Sequence, residues 1–192
     1  TYYTFSYSPI PNDDGSIGGI ICANTDDTQR TIGERQLALL RDLAAGAADA
    51  RTWHEAGECS IRALERDACD LPFAMLYLSS SGTEELELIA MSGIEAGHEA
   101  APARLSFEQP ALWPVHEALR THQPVLVPNI QERIAQPLPN GPWQEPPTQG
   151  VVIPIAPSGE SGRAGALVVG LNPFRLFDEH YQGFLSLVAG QI

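Results

Sequence analysis

Two short apolar runs, Val151–Ile155 and Gly165–Leu171, constrain this chain more than any other feature. Runs of that length, rich in β-branched residues and almost free of polar positions, read as strands in the middle of a sheet. Ser158-Gly159-Glu160-Ser161-Gly162 between them supplies a turn, so the two runs are expected to pair as a hairpin. A helix follows, capped by Asp178, with Tyr181, Phe184, Leu185, Val188 and Ile192 on one face.

The rest of the chain supplies what such a sheet needs. Thr31-Ile32-Gly33-Glu34 fits a capping box and opens a helix with an apolar stripe of Leu37, Leu40, Ala44 and Ala47, widened by Leu39. A second capping box, Thr52-Trp53-His54-Glu55, opens a helix to about Asp67, with Ala56, Cys59, Ala63 and Leu64 inward. Strands are expected over Phe73–Ser79 and Leu86–Met91, joined across Ser81-Gly82-Thr83-Glu84. A short helix begins near Trp113-Pro114, with Pro114 in its first turn, and a strand covers Val125–Val127. From Pro124 to Pro147 seven prolines occur in 24 residues, which predicts an irregular segment covering one side of the domain. Sequential hairpins with helices at both ends predict an α+β, sandwich-like fold. Its mainly antiparallel sheet should hold about five to six strands, with the terminal helices packed on one face.

Residues 1–24 read separately, as a hairpin. Tyr3, Phe5 and Tyr7 alternate with polar residues as in a half-buried strand, Pro11 to Gly15 makes the turn, and Ile17–Ala23 returns. Two strands alone are marginal in water, so this hairpin is expected to belong to a sheet with strands before Thr1. The abrupt start at Thr1 and the end inside a helix read as a segment of a longer protein.

Composition excludes several function classes. Acidic residues outnumber basic ones 24 to 11, a formal charge of −13, which argues against nucleic acid or an anionic membrane as partner. No apolar run approaches the roughly 20 residues of a membrane span, and no signal peptide opens the chain, so a cytoplasmic location is expected. Cys22, Cys59 and Cys69 lack CxxC spacing and are expected to be reduced thiols, neither disulfides nor zinc ligands. There is no GxSxG elbow, phosphate-binding P-loop or HExxH helix, and no two of the five histidines stand four apart. Gly15-Ser16-Ile17-Gly18-Gly19 sits in a hairpin and is a turn feature. No catalytic residue and no metal site is expected in this segment.

The hairpin running into Asp26-Asp27-Thr28-Gln29-Arg30 resembles the end of a PAS domain and its junction with a signalling helix. The remainder resembles a GAF domain. The match is carried by Asp70-Leu71-Pro72-Phe73-Ala74-Met75-Leu76-Tyr77-Leu78, by Val151–Ile155 and by Ala164–Leu171, in that order before a final helix. The resemblance implies a truncated PAS hairpin over residues 1–30, a connector helix over 31–50 and a GAF domain over 51–192. It further implies a regulatory module of a bacterial PAS–GAF sensor histidine kinase in a two-component phosphorelay, with the ATP-dependent kinase core elsewhere in the same polypeptide. The alternatives are a regulatory GAF module of a cyclic-di-GMP synthase or phosphodiesterase, and a free-standing GAF-fold reductase, which would need reactive cysteines in its pocket.

Within such a domain the ligand-pocket candidates are Tyr77, Arg104, Phe107, Trp113, His116 and Trp143. Trp113 and Trp143 have a competing role as apolar anchors for the proline-rich segment. Arg104, flanked only by Arg120 and Arg133, does not favour a phosphate-rich ligand. No bilin-attachment or haem motif is evident, and a cofactor is unknown. Leu37, Leu40 and Ala44, with Tyr181, Leu185 and Val188, are the candidates for helices that pair in a homodimer and carry the signal.

Overall fold

The computed structural model describes residues 1–79, 85–107, 112–155 and 164–192, with backbone only at 47–49. The turns expected at 81–84 and 158–162, and the inward place expected for Ala47, lie outside what is described. The chain forms two compact units, Thr1–Ala38 and Leu39–Ile192.

The first unit holds an antiparallel hairpin, β1 (Tyr3–Pro11) and β2 (Ile17–Asp26), and the start of α1 (Thr28–Asp49). Gly15 makes the turn at φ +82°, and its N–H donates to the Asn12 carbonyl at 2.9 Å. The register puts Tyr3, Phe5 and Tyr7 on the same face as Ile20 and Cys22. All are exposed where half-burial was expected, because a two-stranded ribbon brings no second layer of its own.

Helix α1 opens at Thr28, a turn earlier than the capping box at Thr31 predicts. Asp26 accepts the Thr28 N–H at 2.9 Å, the Asp27 carbonyl accepts from Thr31, and the Thr28 hydroxyl accepts the Tyr2 N–H. Thr31 therefore lies inside the helix, and Glu34 pairs with Arg30 at 3.0 Å. The Thr28 hydroxyl holds the Asp26 carboxyl below its ordinary range, and the Thr4 hydroxyl, then Arg30, do the same for Asp27.

The second unit is built on a six-stranded antiparallel sheet. Its strands are β3 (Ala74–Ser79), β4 (Glu85–Ser92), β5 (Arg104–Ser106), β6 (Val125–Val127), β7 (Gly150–Ile155) and β8 (Gly165–Gly170). They lie in the order β5-β4-β3-β8-β7-β6. The helices are the second half of α1, α2 (Trp53–Leu64), α3 (Val115–Thr121) and α4 (Glu179–Gln191). The two apolar runs near the end of the chain form β7 and β8, and β8 pairs with both β7 and β3.

Side chains of the inner strands alternate between two cores. Ala74, Leu76 and Leu78 of β3, Leu167 and Val169 of β8, and Val151 and Ile153 of β7 face the helices α1, α2 and α4. Met75 and Tyr77, with Val168 and Val152, face α3 and the long loops. At the β3–β4 pair the register slips between Leu76 and Tyr77, whose partners are Ala90 and Leu88, so Ile89 is an extra residue. Ile89 and Ala90 both pack on the helix face, the signature of a bulge.

Helix starts were legible at α2 and α4. Thr52 accepts the Glu55 N–H at 3.1 Å while the Glu55 carboxylate takes the Arg51 N–H at 2.9 Å, one residue before the usual box position. Asp178 accepts the Tyr181 N–H at 2.9 Å. At α3, Pro114 occupies the cap position and not the first turn. On α2, Gly57, Ser60 and Ile61 are buried with Ala63 and Leu64, while Ala56 and Cys59 are only partly covered.

Helix α1 turns a different stripe inward. Leu39 and Leu43 are buried and Leu40 packs beside them, whereas Leu37 is 69% exposed and Ala44 is exposed. Along Leu37-Ala38-Leu39-Leu40 two overlapping stripes satisfy helical spacing, and docking selects Leu39–Leu43. On α4, Tyr181, Leu185 and Val188 are buried against the domain's own sheet.

One corner of this core is polar. Asp70 and Asp67 are buried beneath the start of β3, and Arg175 reaches Asp70 at 3.4 Å. The Arg175 guanidinium lies 4.3 Å above the Tyr181 ring, whose hydroxyl donates to the Asp70 carbonyl and accepts the Asn172 N–H.

Candidate functional site

The loop face of the sheet is where a pocket could form, and aromatic side chains fill its centre. Trp113 is fully buried, and its indole N–H donates to the Ala100 carbonyl at 2.7 Å. It meets Phe73 edge-on, with centroids 6.3 Å apart. Tyr77 is also fully buried, and its hydroxyl donates to the Pro102 carbonyl at 3.0 Å. Both side chains pin the segment between β4 and β5 onto the sheet.

The six sequence candidates therefore do not converge on one cavity. Phe107 and His116 do meet, with ring centroids 6.0 Å apart, and His116 is exposed. Arg104 stands on the edge strand β5, 3.2 Å from Glu87 and 3.8 Å from Glu85 of β4. Trp143 donates its indole N–H to the Cys69 carbonyl at 3.0 Å and stacks edge-on against Phe174. Trp143 ties the proline-rich segment to Cys69 and Phe174, whereas the contacts of Trp113 hold the segment between β4 and β5 and not the proline-rich one.

An open cleft lies at a place that sequence reasoning missed. A turn from Gly93 to His98 forms one wall, and the proline-rich strap with Gln136, Pro137 and Pro139 forms the other, enclosing about 490 Å3. Two staples hold the walls together. His98 Nδ1 accepts the Ala100 N–H at 3.0 Å, which leaves Nε2 to donate to the Pro137 carbonyl at 3.1 Å. Glu99 takes the N–H groups of Ala135 and Gln136 on one carboxylate oxygen, and its own N–H donates to the Gln136 side chain at 2.7 Å. The sequence signals were Gly93 and Gly97, both at positive φ, bracketing a turn directly before His98.

Gly93 is required there: at φ +69° a Cβ would fall 2.1 Å from the Pro72 carbonyl oxygen. Among the described residues no cluster of histidine, cysteine or carboxylate side chains could hold a metal ion. No helix among them is long and apolar enough to cross a membrane.

Burial raises the hydroxyl pKa of both Tyr77 and Tyr181 far above the ordinary value of about 10. Both phenols stay protonated in the fold while unfolded tyrosines ionise, so stability is expected to hold below about pH 10 and fall above it. Denaturant titrations from pH 9 upward should show this slope. Tyr77→Phe and Tyr181→Phe should each remove close to one proton from it.

No known family profile and no curated protein matches the sequence. Solved structures do match in fold. The GAF domain of an Acinetobacter phosphoenolpyruvate-protein phosphotransferase superposes with a TM-score of 0.58 at 16% identity, covering 81% of this chain and 89% of that one. Free methionine-R-sulfoxide reductase from Neisseria meningitidis, solved with its substrate, gives 0.57 at 18% identity, over 81% and 84%. Residues 122 to 287 of a methyl-accepting chemotaxis protein give 0.55 at 15% identity, over 78% and 91%. The class defined by sheet order and helix placement is the GAF fold. The matching structures come from a reductase, a phosphotransferase and a chemotaxis protein.

Proposed function

We propose that this chain is a regulatory GAF module of a sensor protein, relaying a signal through the helices that bound the domain. One observation carries the reading. Leu39 and Leu43 of α1 and Tyr181, Leu185 and Val188 of α4 share a single hydrophobic cluster on one sheet face. Close-packed side chains transmit a shift of one helix to the other, because such a core is not continuously deformable. The fold matches in a chemotaxis protein and a phosphotransferase support a regulatory setting. In this reading the β1–β2 hairpin closes a PAS domain, α1 is the connector, and the output is a cytoplasmic histidine kinase core in the same polypeptide.

The surfaces left for self-association are the outward stripe of α1, with Leu37 and Ala44, and Leu187 of α4, which is 58% exposed. A parallel homodimer through these helices is the arrangement proposed. Sedimentation velocity should show a dimer that Leu37→Glu or Leu187→Glu dissociates without lowering Tm. In the complete polypeptide, the same substitutions should change the rate of phosphate transfer from ATP to a histidine. A wild-type chain that is monomeric throughout, or a parent protein with no such transfer, overturns the respective half of the proposal.

A reductase reading is less favoured by cysteine placement. Cys59 lies on α2 against Arg62, Cys69 lies in the turn after that helix, and Cys22 is in the hairpin. None of them belongs to the loop-face core.

A further inference from the structure

The geometry points to a binding site for an organic ammonium ion in the cleft between the Gly93–His98 turn and the proline strap. Its size suits a small molecule, since about 490 Å3 falls within the ~300–1,000 Å3 typical of such sites. The staples at His98 and Glu99 hold both walls before any ligand arrives, so little ordering cost remains for binding.

The chemistry of the walls selects the ligand. Pro137 and Pro139 have no N–H, and the Gln136 N–H is committed to Glu99. On the opposite wall, the His98 backbone N–H is committed to the Glu95 carbonyl, and its ring N–H to Pro137. The donors committed at these positions are thus closed to an incoming molecule, and the Gln136 side-chain amide, whose oxygen takes the Glu99 N–H, keeps its N–H2 available beside the acceptors. The one charged lining side chain is that of Glu95, whose carboxylate is exposed and makes no ion pair or hydrogen bond among the described residues. Ile94 and the two proline rings supply the apolar remainder. The Glu95 carboxylate beside apolar walls complements a cationic donor carried on an apolar body. It repels phosphate and carboxylate, and the net charge of −13 adds to that bias.

This site deepens the regulatory reading by naming a ligand class, yet its test is independent of kinase output. The intact chain is titrated by calorimetry and amide NMR with phenethylammonium chloride, phenylacetate and 2-phenylethanol, three probes sharing one apolar body. Phenethylammonium should saturate one site and shift the Gly93, Ile94, His98 and Gln136 amides, and phenylacetate should not bind. Glu95→Gln should weaken the cation about tenfold, the scale of one charge-assisted hydrogen bond. Glu95→Lys should reverse the preference towards phenylacetate. Because Glu95 is exposed, both variants should keep the wild-type Tm. Equal binding of cation and anion, indifference to Glu95→Gln, shifts centred on Phe107 and His116, or no saturable binding of any probe each overturns the assignment. Any of these would leave the helix relay standing, and a monomer without kinase coupling would leave this site standing.

Discussion

Replacing Arg175 by alanine is expected to lower the unfolding free energy by about 3–5 kcal/mol, the cost of stripping a buried carboxylate of its cation. Asp70 is fully buried, and the Arg175 side chain is only 15% exposed. The screening that makes surface pairs nearly worthless therefore does not apply here. At 3.4 Å the contact is electrostatic more than directional, and the guanidinium gains further from lying over the Tyr181 ring. For a domain of this size the loss corresponds to a Tm drop of roughly 10 °C. Arg175→Lys should fall between the two, keeping the charge and losing the flat cation above the ring. The double variant Arg175→Met with Asp70→Asn should recover much of the loss, because it removes both charges together. A cost under about 1 kcal/mol for Arg175→Ala would mean that water reaches Asp70, and the corner would then be an ordinary surface pair.

That corner also fixes the direction in which α4 leaves the sheet. Arg175 lies just before the Asp178 cap, and the Tyr181 hydroxyl ties the first turn of α4 to the Asp70 carbonyl. The pair is therefore a positioning device for the helix proposed to carry the output. Its loss should uncouple α4 from the sheet before it unfolds the domain.

Much of this fold is written in local pattern, and the exceptions have physical causes. β7 and β8 were legible because both of their faces are covered, so nearly every position is apolar. β5 was not, because three residues on an edge, with Arg104 exposed, leave no periodicity to read. The start of α1 was displaced because Asp26 and Asp27 satisfy its first amides, and a capping box downstream becomes helix interior. The candidate site was less legible than the fold. An aromatic in a loop-rich domain reads equally well as a pocket wall or an anchor. Only the contacts of Trp113 with Ala100 and of Tyr77 with Pro102 separate the two. The cleft at Gly93–His98 is bounded by glycines, prolines and backbone carbonyls, whose chemistry depends on conformation more than on residue type.

The largest effect from the smallest change is expected at Gly170, where alanine should cost about 3 kcal/mol, at the upper end of overpacking penalties. Gly170 pairs with Gly150 across β8 and β7, and the two bare positions make the seat for the Phe73 and Trp113 rings. A Cβ on Gly170 would stand 2.4 Å from Phe73 Cε1, and one on Gly150 would stand 2.7 Å from Trp113 Cζ3. Neither ring can retreat easily. Both are fully buried, and the Gly170 N–H donates to the carbonyl of Phe73 itself, which locks the ring's own backbone in place. Phe73→Leu alone should also destabilise, by leaving a void beside Trp113. The two changes should nevertheless compensate: Gly170→Ala with Phe73→Leu should cost at least ~1 kcal/mol less than the sum of the singles. Denaturant unfolding of the four proteins closes the cycle, and strict additivity would show that the added methyl meets something other than Phe73. The consequence reaches the cleft, because Trp113 holds Ala100, and Ala100 donates to His98. A displaced Trp113 should loosen the His98 staple, so Gly150→Ala should broaden the Gly93–His98 amide resonances even at temperatures where the domain remains folded.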